Sequence, residues 1–151
     1  MSLFNLSDKV YAVTGASGAL AGKAAQYLAE NGAKVAFISR SQSKLDLAVK
    51  DLGPEAATFT CDVTDRKALK TSFDLILQRF GHIDGLINGA GGNMPGATIG
   101  PDMSVFDLDF NDYEKVLQLN LSGTLLPSLV FGEYFAERKQ GAIVNFSSAS
   151  S

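Results

Sequence analysis

Short apolar runs alternate with stretches of helical periodicity along most of the chain. The runs are rich in Val, Ile and Ala, and between them apolar residues recur every three or four positions. This alternation is typical of βαβ units built around a parallel sheet. The predicted strands are Val10–Val13, Lys34–Ile38, Ala57–Thr60, Gly85–Asn88 and Ala142–Phe146.

Four helices are predicted between these strands. Thr64 or Asp65 can cap the third helix and Gly81 can end it. The segment Asn111–Glu114 is typical of a capping box, from which a long fourth helix would run towards Arg138. The apolar stripes of the first three helices are Ala21, Ala24, Ala25 and Leu28; Leu45, Ala48, Val49 and Leu52; and Leu69, Phe73, Ile76 and Phe80.

The predicted fold class is α/β, with one domain over residues 1–151. Right-handed crossovers between five parallel strands give a doubly wound, Rossmann-type sheet in the strand order 3-2-1-4-5. The segment Gly89–Leu108 departs from both periodicities, because it is rich in glycine and contains two prolines. Irregular segments of this length are usually functional or mobile.

Composition and charge exclude several classes of protein. A hydrophobic content of 46% with 19% charged residues is typical of a globular domain rather than a disordered chain. A net charge of -3 argues against a nucleic-acid partner, and no apolar run approaches the roughly 20 residues of a membrane span. The chain has one cysteine, Cys61, and one histidine, His82, so we expect no metal site. Because Cys61 cannot form an internal disulfide, we expect the protein in a reducing cytoplasm.

A glycine-rich turn, within Val13–Gly22, joins the first strand to the first helix. The first turn of a helix offers free N–H groups and partial positive charge, and small residues let a phosphate approach the backbone. The order of strand, glycine-rich turn and helix predicts a dinucleotide-binding domain. The alternative is a turn that only packs the helix on the strand.

Five motifs, in the same order along the chain, resemble those of the short-chain dehydrogenase/reductase family. Thr14-Gly15 begins the family's T-G-x-x-x-G-x-G, although Ala19 and Ala21 replace its later glycines. Gly89 likewise replaces the second Asn of the family's N-N-A-G. The four motifs after the Thr14-Gly15 turn are Thr60–Thr64, Asn88–Gly91 (which corresponds to N-N-A-G), Leu119–Thr124 and Gly141–Ser148.

The resemblance implies a nicotinamide cofactor. Asp62 would accept a hydrogen bond from the adenine amino group, or would simply cap the third helix. Val63 would flank the adenine ring, and Asn88 would brace the sheet. The implied cofactor-binding residues are Thr14, Gly15, Ser17, Gly18, Ala19, Leu20, Ser39, Arg40, Asp62, Val63, Asn88, Gly89, Ala90 and Gly91.

The resemblance also implies catalytic roles for Ser148, which would steady the substrate carbonyl, and for Asn120, which would hold a water. The alternatives are a strand-end turn at Ser148 and a solvated or capping Asn120. The family's catalytic Tyr-x-x-x-Lys would follow Ser148, and no tyrosine of this chain has Lys four residues later. We therefore expect the N-terminal part of a longer single-domain enzyme, inactive as the 151-residue chain.

The cofactor is expected to be NADP rather than NAD. NAD enzymes of this fold usually carry an acidic residue after the second strand, whereas this chain has Ser39-Arg40. Arg40 can pair with a 2′-phosphate, although a solvated arginine is the alternative.

The loop motifs suggest the substrate class. Asn88–Pro95, Phe106–Asp109 and Gly123–Ser128 resemble the branch of D-mannonate oxidoreductases, or fructuronate reductases, which implies a sugar acid. Asn93 would offer its amide to that substrate, or would only cap the loop. A 3-oxoacyl or keto-gluconate reductase, or a non-catalytic dinucleotide-binding module, are the alternatives. The resemblance further implies a homo-oligomer, a dimer or tetramer, at full length.

Overall fold

The five predicted strands form one parallel sheet in the computed structural model, which describes residues 6–148. The strand order β3-β2-β1-β4-β5 confirms the predicted topology, and the predicted strand limits are within one residue of those observed. The strands are β1 (Val10–Thr14), β2 (Lys34–Ser39), β3 (Ala56–Thr60), β4 (Gly85–Asn88) and β5 (Ala142–Asn145).

Helices cover both faces of the sheet. They are α1 (Ala19–Glu30), α2 (Gln42–Val49), α3 (Arg66–Phe80), α4 (Phe110–Leu117) and α5 (Gly123–Arg138). One core packs α3 and α5 against Ala12, Ala36 and Ile38, and the other packs α1 and α2 against Val13 and Phe37. Strands buried on both faces explain the continuous apolar runs in the sequence.

The start and end of α3 follow from its sequence signals. Asp65 is its N-cap, and its carboxylate accepts hydrogen bonds from the backbone N–H groups of Lys67 (2.8 Å) and Ala68 (3.0 Å). Gly81 ends the helix in the left-handed conformation, with φ of 83°, as predicted. Of the two caps that the sequence allowed, the structure therefore selects Asp65.

The long fourth helix begins and continues differently from the prediction. Asp109, not Asn111, is the N-cap of α4, and it accepts from the backbone N–H of Asp112 at 3.0 Å. A π-helical turn, Gln118–Ser122, then separates α4 from α5. Within this turn Asn120 donates its side-chain amide to the carbonyl of Val116 at 3.0 Å. A side chain that competes for a helix carbonyl disturbs the regular pattern, and π turns often mark functional positions.

The segment Gly89–Leu108 is largely irregular, as predicted, with two short 3₁₀ turns at Pro95–Ala97 and Val105–Asp107. Within residues 6–148, no helix has both the length and the apolar character needed to cross a membrane.

Candidate functional site

Two adjoining cavities open at the carboxyl ends of the strands. The first, of about 210 Å³, is lined by Gly15, Ser17, Gly18, Ser39, Arg40, Ser41, Lys44, Cys61, Val63, Gly89, Ala90, Gly91 and Leu119. The second, of about 600 Å³, is lined by Gly15, Gly18, Ala19, Leu20, Ala21, Gly89, Ala90, Gly91, Asn120, Thr124, Phe146, Ser147 and Ser148. Because five residues, four of them glycines, line both cavities, we describe the two cavities as one cleft.

The position of the cleft, rather than its size, marks it as the functional site. A larger groove of about 780 Å³ lies between α3 and α5, away from the strand ends. In open α/β sheets, however, ligands bind outside the carboxyl ends of the strands, where the strand order reverses. That point lies between β1 and β4 here, beneath the cleft.

The turn after β1 lines the cleft with two glycines, Gly15 and Gly18, and with Ser17. Gly15 has φ of +68°, and a Cβ there would lie 2.6 Å from the backbone nitrogen of Ala90. Gly18 is the N-cap of α1 and supplies no side-chain cap. The first-turn N–H groups of a helix have no partner within it, and Ala19 and Leu20 in this turn line the second cavity. The arrangement is suited to an anion at the start of α1.

The two departures from the family's glycine pattern occupy the same space. A Cβ at Gly89 would overlap the Cβ of Ala21 and lie 3.0 Å from the carbonyl oxygen of Thr14. Close approach between α1 and the turn instead occurs at Gly22, where a Cβ would lie 2.8 Å from the carbonyl oxygen of Ala16. The methyl group of Ala21 thus fills the space that the missing side chain of Gly89 leaves.

Thr14 and Asn88 lie behind the wall of the cleft and line neither cavity. The Thr14 hydroxyl accepts hydrogen bonds from the backbone N–H groups of Gly89 (3.2 Å) and Ala90 (3.3 Å). The Asn88 amide donates to Ser128 Oγ at 2.9 Å and to Asn145 Oδ1 at 2.8 Å. Of the predicted cofactor-binding residues, these two brace the cleft from behind.

The β2 side of the first cavity is basic. Arg40 and Lys44 line it, and neither forms an ion pair with any carboxylate in the part of the chain that the structure describes. Ser39 and Ser41 form the turn between them, with the Ser41 N–H donating to Ser39 Oγ at 3.2 Å. The sequence reasoning missed Lys44, whose signal was its position four residues after Arg40, in the first turn of α2.

Asp62 belongs to a tight turn beside the first cavity and does not cap α3. Its carboxylate accepts from the Thr64 hydroxyl (2.7 Å) and the Thr64 N–H (2.9 Å). These two bonds, helped by the positive charge of Arg40, lower the pKa of Asp62 against the opposing effect of partial burial. Cys61 and Val63 line the cavity on either side of it, and burial raises the pKa of the Cys61 thiol.

Asn120 and Ser148 both line the second cavity. The Asn120 side chain holds Gly92 by both of its backbone groups: its Oδ1 accepts from the Gly92 N–H (3.1 Å), and its Nδ2 donates to the Gly92 carbonyl (2.7 Å). Thr124 and Phe146 also line this cavity and were not predicted. The π turn therefore fixes the loop after β4 against the long helix.

Asn93 lies outside both cavities. Its Nδ2 donates to Thr98 Oγ1 at 2.7 Å, and its Oδ1 accepts from the Met94 N–H at 2.9 Å. These bonds agree with the loop-capping role that the sequence left open.

Comparison with known families bears on this geometry. The pattern that defines the short chain dehydrogenases matches residues 9–151. The chain belongs to that family. Its members are oxidoreductases that use NAD or NADP.

Individual relatives of the family extend the comparison. An oxidoreductase of Bacillus subtilis, UxuB, is 38% identical over 97% of this chain and 56% of its own length. A fatty acyl-CoA reductase of Acinetobacter baylyi is 34% identical over 95% of this chain and 48% of its own. The chain thus spans about half the length of the curated relatives it matches.

Among solved structures, a proposed D-mannonate oxidoreductase from Haemophilus influenza with bound NAD superposes with a TM-score of 0.86 at 32% identity. The superposition covers 95% of this chain and 56% of that one. The fold and the family therefore agree with the resemblance found in the sequence motifs.

Proposed function

We propose that the full-length protein containing this chain is a nicotinamide-dependent oxidoreductase of sugar acids, of the type that reduces fructuronate to mannonate. The observation that carries the proposal is that one cleft is lined by glycines, by the basic residues Arg40 and Lys44 after β2, and by Ser148. A cofactor bound there would supply the hydride acceptor or donor. Glycine at position 15, where a Cβ would overlap the backbone of Gly89 and Ala90, lets the turn after β1 lie directly against the loop after β4.

Each part of the cleft has a role in this proposal. The first cavity would hold the adenosine, with Val63 against the ring and Asp62 near its amino group. The N–H groups at the start of α1 would bind the pyrophosphate, and the backbone of Gly89–Gly91 would lie along the nicotinamide ribose. Ser148 would donate a hydrogen bond to the substrate carbonyl oxygen in the second cavity.

Asn120 would act mainly by holding the loop after β4 in place. Its two bonds to Gly92 hold the loop that forms one wall of both cavities. By the family resemblance, a tyrosine and a lysine beyond Ser148 would move the alcohol proton, which is the general acid–base part of the reaction.

The sugar-acid assignment has specific support. The loop motifs resemble the mannonate branch, and the Haemophilus neighbour is a proposed D-mannonate oxidoreductase. A 3-oxoacyl substrate is favoured by one relative, the fatty acyl-CoA reductase, and a keto-gluconate is the remaining alternative. Asn93 remains the proposed substrate contact, provided that its bond to Thr98 is exchanged when a polyol binds.

A substrate panel tests the assignment directly. Full-length protein is assayed by nicotinamide absorbance with fructuronate, mannonate, keto-gluconates and a 3-oxoacyl thioester, each with both cofactors. We expect the highest kcat/KM on the hexuronate–aldonate pair. Best turnover on the thioester would reject the assignment but keep the reaction class, whereas dinucleotide binding without turnover on any substrate would favour a non-catalytic module.

NADP is the proposed cofactor, with NAD as the alternative. Arg40 stands where an acidic residue would hold the ribose of NAD, and no carboxylate is among the described residues that line the first cavity. The NAD in the Haemophilus structure belongs to that protein. Arg40→Ala should weaken NADPH binding by about 1.5–3 kcal/mol, typical of hydrogen bonds to a charged group, with little effect on NADH. Equal losses for both cofactors in calorimetry would contradict this preference.

A homo-oligomer is proposed for the full-length protein, in a reducing cytoplasm suited to its lone, buried Cys61. Apolar side chains follow one another at helical spacing along α4 and α5 while remaining exposed: Leu117 (43%), Leu121 (65%), Leu125 (52%) and Leu129 (48%). A stripe of this spacing and length suits pairing with the same helix of a second copy, as in an isologous dimer.

Light scattering after gel filtration tests the oligomer. Leu125→Glu should shift the full-length protein towards the monomer, because it places a charge in the centre of the stripe. Leu47→Glu is the control, since Leu47 is 67% exposed but lies on α2, on the other face of the sheet. A monomeric parent protein, or an unchanged mass for Leu125→Glu, would contradict the proposal.

A further inference from the structure

Ser128 connects the end of β4 to helix α5 behind the cleft. Its hydroxyl accepts a hydrogen bond from the side-chain amide of Asn88 at 2.9 Å and donates one to the carbonyl of Thr124 at 2.7 Å. Ser128 lines neither cavity, so it can affect the site through these partners. It also ends Gly123–Ser128, one of the three motifs by which the chain resembles the mannonate branch.

A series of hydrogen bonds continues from this hydroxyl along α5 to the π turn. The Thr124 hydroxyl donates to the carbonyl of Asn120 at 2.9 Å, and the Asn120 side chain holds both backbone groups of Gly92. The series thus leaves the loop after β4 at Asn88 and returns to it at Gly92. The residues between these two points, Gly89–Gly91, line both cavities. This part of the cleft wall is therefore held to α5 at both of its ends.

The hydroxyl groups matter because the middle of α5 is not a regular helix. Pro127 lies inside α5 and has no N–H to donate to the carbonyl one turn earlier. Hydroxyls that bond to the carbonyl four residues before them, as those of Thr124 and Ser128 do, bend helices further. The path of α5 past the sheet therefore depends on side-chain hydrogen bonds, and the bond from Asn88 ties that path to β4.

Asn88 depends on Ser128 for one of the two hydrogen bonds that orient its side chain. The other bond joins it to Asn145 on β5. Asn88 is 2% exposed, and its Oδ1 has no hydrogen-bond partner among the residues that the structure describes. Loss of the Ser128 hydroxyl would leave a buried N–H unpaired as well, which favours a rearranged amide. Because β5 leads to Ser148, a rearrangement at Asn88 would reach both sides of the second cavity.

We propose that Ser128 is a positioning residue of the reaction. It sets the placement of the π turn and of the loop after β4, so that Asn120 and the backbone of Gly89–Gly91 meet the nicotinamide end of the cofactor in the reactive geometry. The inference rests on the proposed function and deepens it, because it gives the Gly123–Ser128 motif a role in catalysis. Ser128 would touch neither cofactor nor substrate, so its effect should appear in kcat rather than in binding of the adenosine.

Three variants of the full-length protein test this role. Ser128→Ala removes the hydroxyl and Ser128→Thr keeps it. Thr71→Ala is the control, because the Thr71 hydroxyl makes a comparable bond to the carbonyl of Lys67, at 3.1 Å, on α3 and away from the cleft. On the best substrate of the panel, Ser128→Ala should lower kcat about tenfold to a hundredfold and change the Kd of 5′-AMP less than about twofold, as expected for a small misplacement of reacting groups. Ser128→Thr should keep most of kcat.

Hydrogen exchange at the loop gives a second readout that needs no turnover. The N–H groups of Gly89, Ala90 and Gly92 bond to the side chains of Thr14 and Asn120. In the alanine variant of the serine these three N–H groups should exchange about tenfold faster than in the parent protein or in the control variant, because local opening of the loop becomes easier.

The outcomes separate this inference from the proposed function. If the parent protein turns over no substrate, the proposed function fails, and faster exchange in Ser128→Ala still supports the placement of the loop by Ser128. Unchanged exchange in Ser128→Ala, or faster exchange with kcat retained, would overturn the inference. So would a threonine variant as slow as the alanine variant, or an equal loss of kcat in Thr71→Ala. If Ser128→Ala does not fold, Ser128→Cys, which keeps a weak donor, takes its place and should give an intermediate kcat.

Discussion

Replacing Gly89 by alanine should destabilise the fold through one identifiable contact. The new Cβ would overlap the Cβ of Ala21, closer than the 3.0 Å that real Cβ atoms keep, and would also approach Thr14 O (3.0 Å) and Phe146 (3.3 Å). Ala21 lies on α1 and is 3% exposed, so it cannot move aside without shifting the helix. Overpacking of this kind typically costs about 1–3 kcal/mol.

One smaller effect partly offsets that cost. Gly89 does not have a positive φ, so alanine is not strained there, and loss of a glycine from the unfolded chain stabilises by about 0.4–1 kcal/mol. We therefore expect Gly89→Ala to lower the free energy of unfolding by about 1–2 kcal/mol. Ala21→Gly should cost about 1 kcal/mol by itself, because glycine is unfavourable inside a helix.

The double variant isolates the contact. If Ala21 is the obstacle, Gly89→Ala with Ala21→Gly should be more stable than the sum of the two single changes by about 1 kcal/mol or more. Urea denaturation of the four proteins measures this coupling. Gly53→Ala is the control, because a Cβ there has nothing within 4 Å and should leave stability nearly unchanged. Additive single effects, or a Gly89→Ala variant as stable as the parent, would refute the reasoning.

Three further predictions concern α3, pH and activity. Asp65→Ala should cost about 0.5–2 kcal/mol, the value of an N-cap, whereas exposed Asp74→Ala on the same helix should be nearly neutral in urea denaturation. Burial opposes ionisation of Asp84, but the Val10 N–H and two basic neighbours keep its pKa below the ordinary value. The stability that the Asp84 carboxylate contributes should therefore be complete above the ordinary carboxyl pKa and be lost as pH falls through the lowered pKa. Asp84→Asn should flatten the acid side of the curve of unfolding free energy against pH, and an unchanged curve would contradict the assignment. The 151-residue chain should show no turnover on any substrate of the panel, because no tyrosine in it has Lys four residues later and general acid–base catalysis is typically worth about 10²–10⁴-fold. Turnover near full-length rates would contradict this prediction.

The local signals in the sequence predicted most of the scaffold. Apolar runs identified all five strands because a parallel sheet buries both faces of its strands. Asp65 and Gly81 predicted the ends of α3 because capping depends on a residue's own side chain and backbone freedom. The predicted start of α4 was wrong, because the N-cap is Asp109 and not Asn111. Both residues are good caps, and the local sequence does not rank them.

The π turn was beyond local sequence. Asn120 bonds to Gly92, which is distant in the chain, as well as to Val116 in its own helix. Only when the loop after β4 is folded against the helix does this arrangement of the amide become favourable. The same holds for Lys44, whose place in the cleft depends on how α2 packs beside the turn after β1.

The sequence by itself determined the strand order, the glycine turn and the family, because these depend on periodicity and on motifs that are short and ordered. Tertiary structure alone decided how the departures from the motifs are accommodated. Ala21 and Gly89 look like two independent losses in the sequence, yet they share one space between α1 and the end of β4. Steric complementarity between residues far apart in the chain is a property of packing, and so it becomes visible only when the sheet has brought them together.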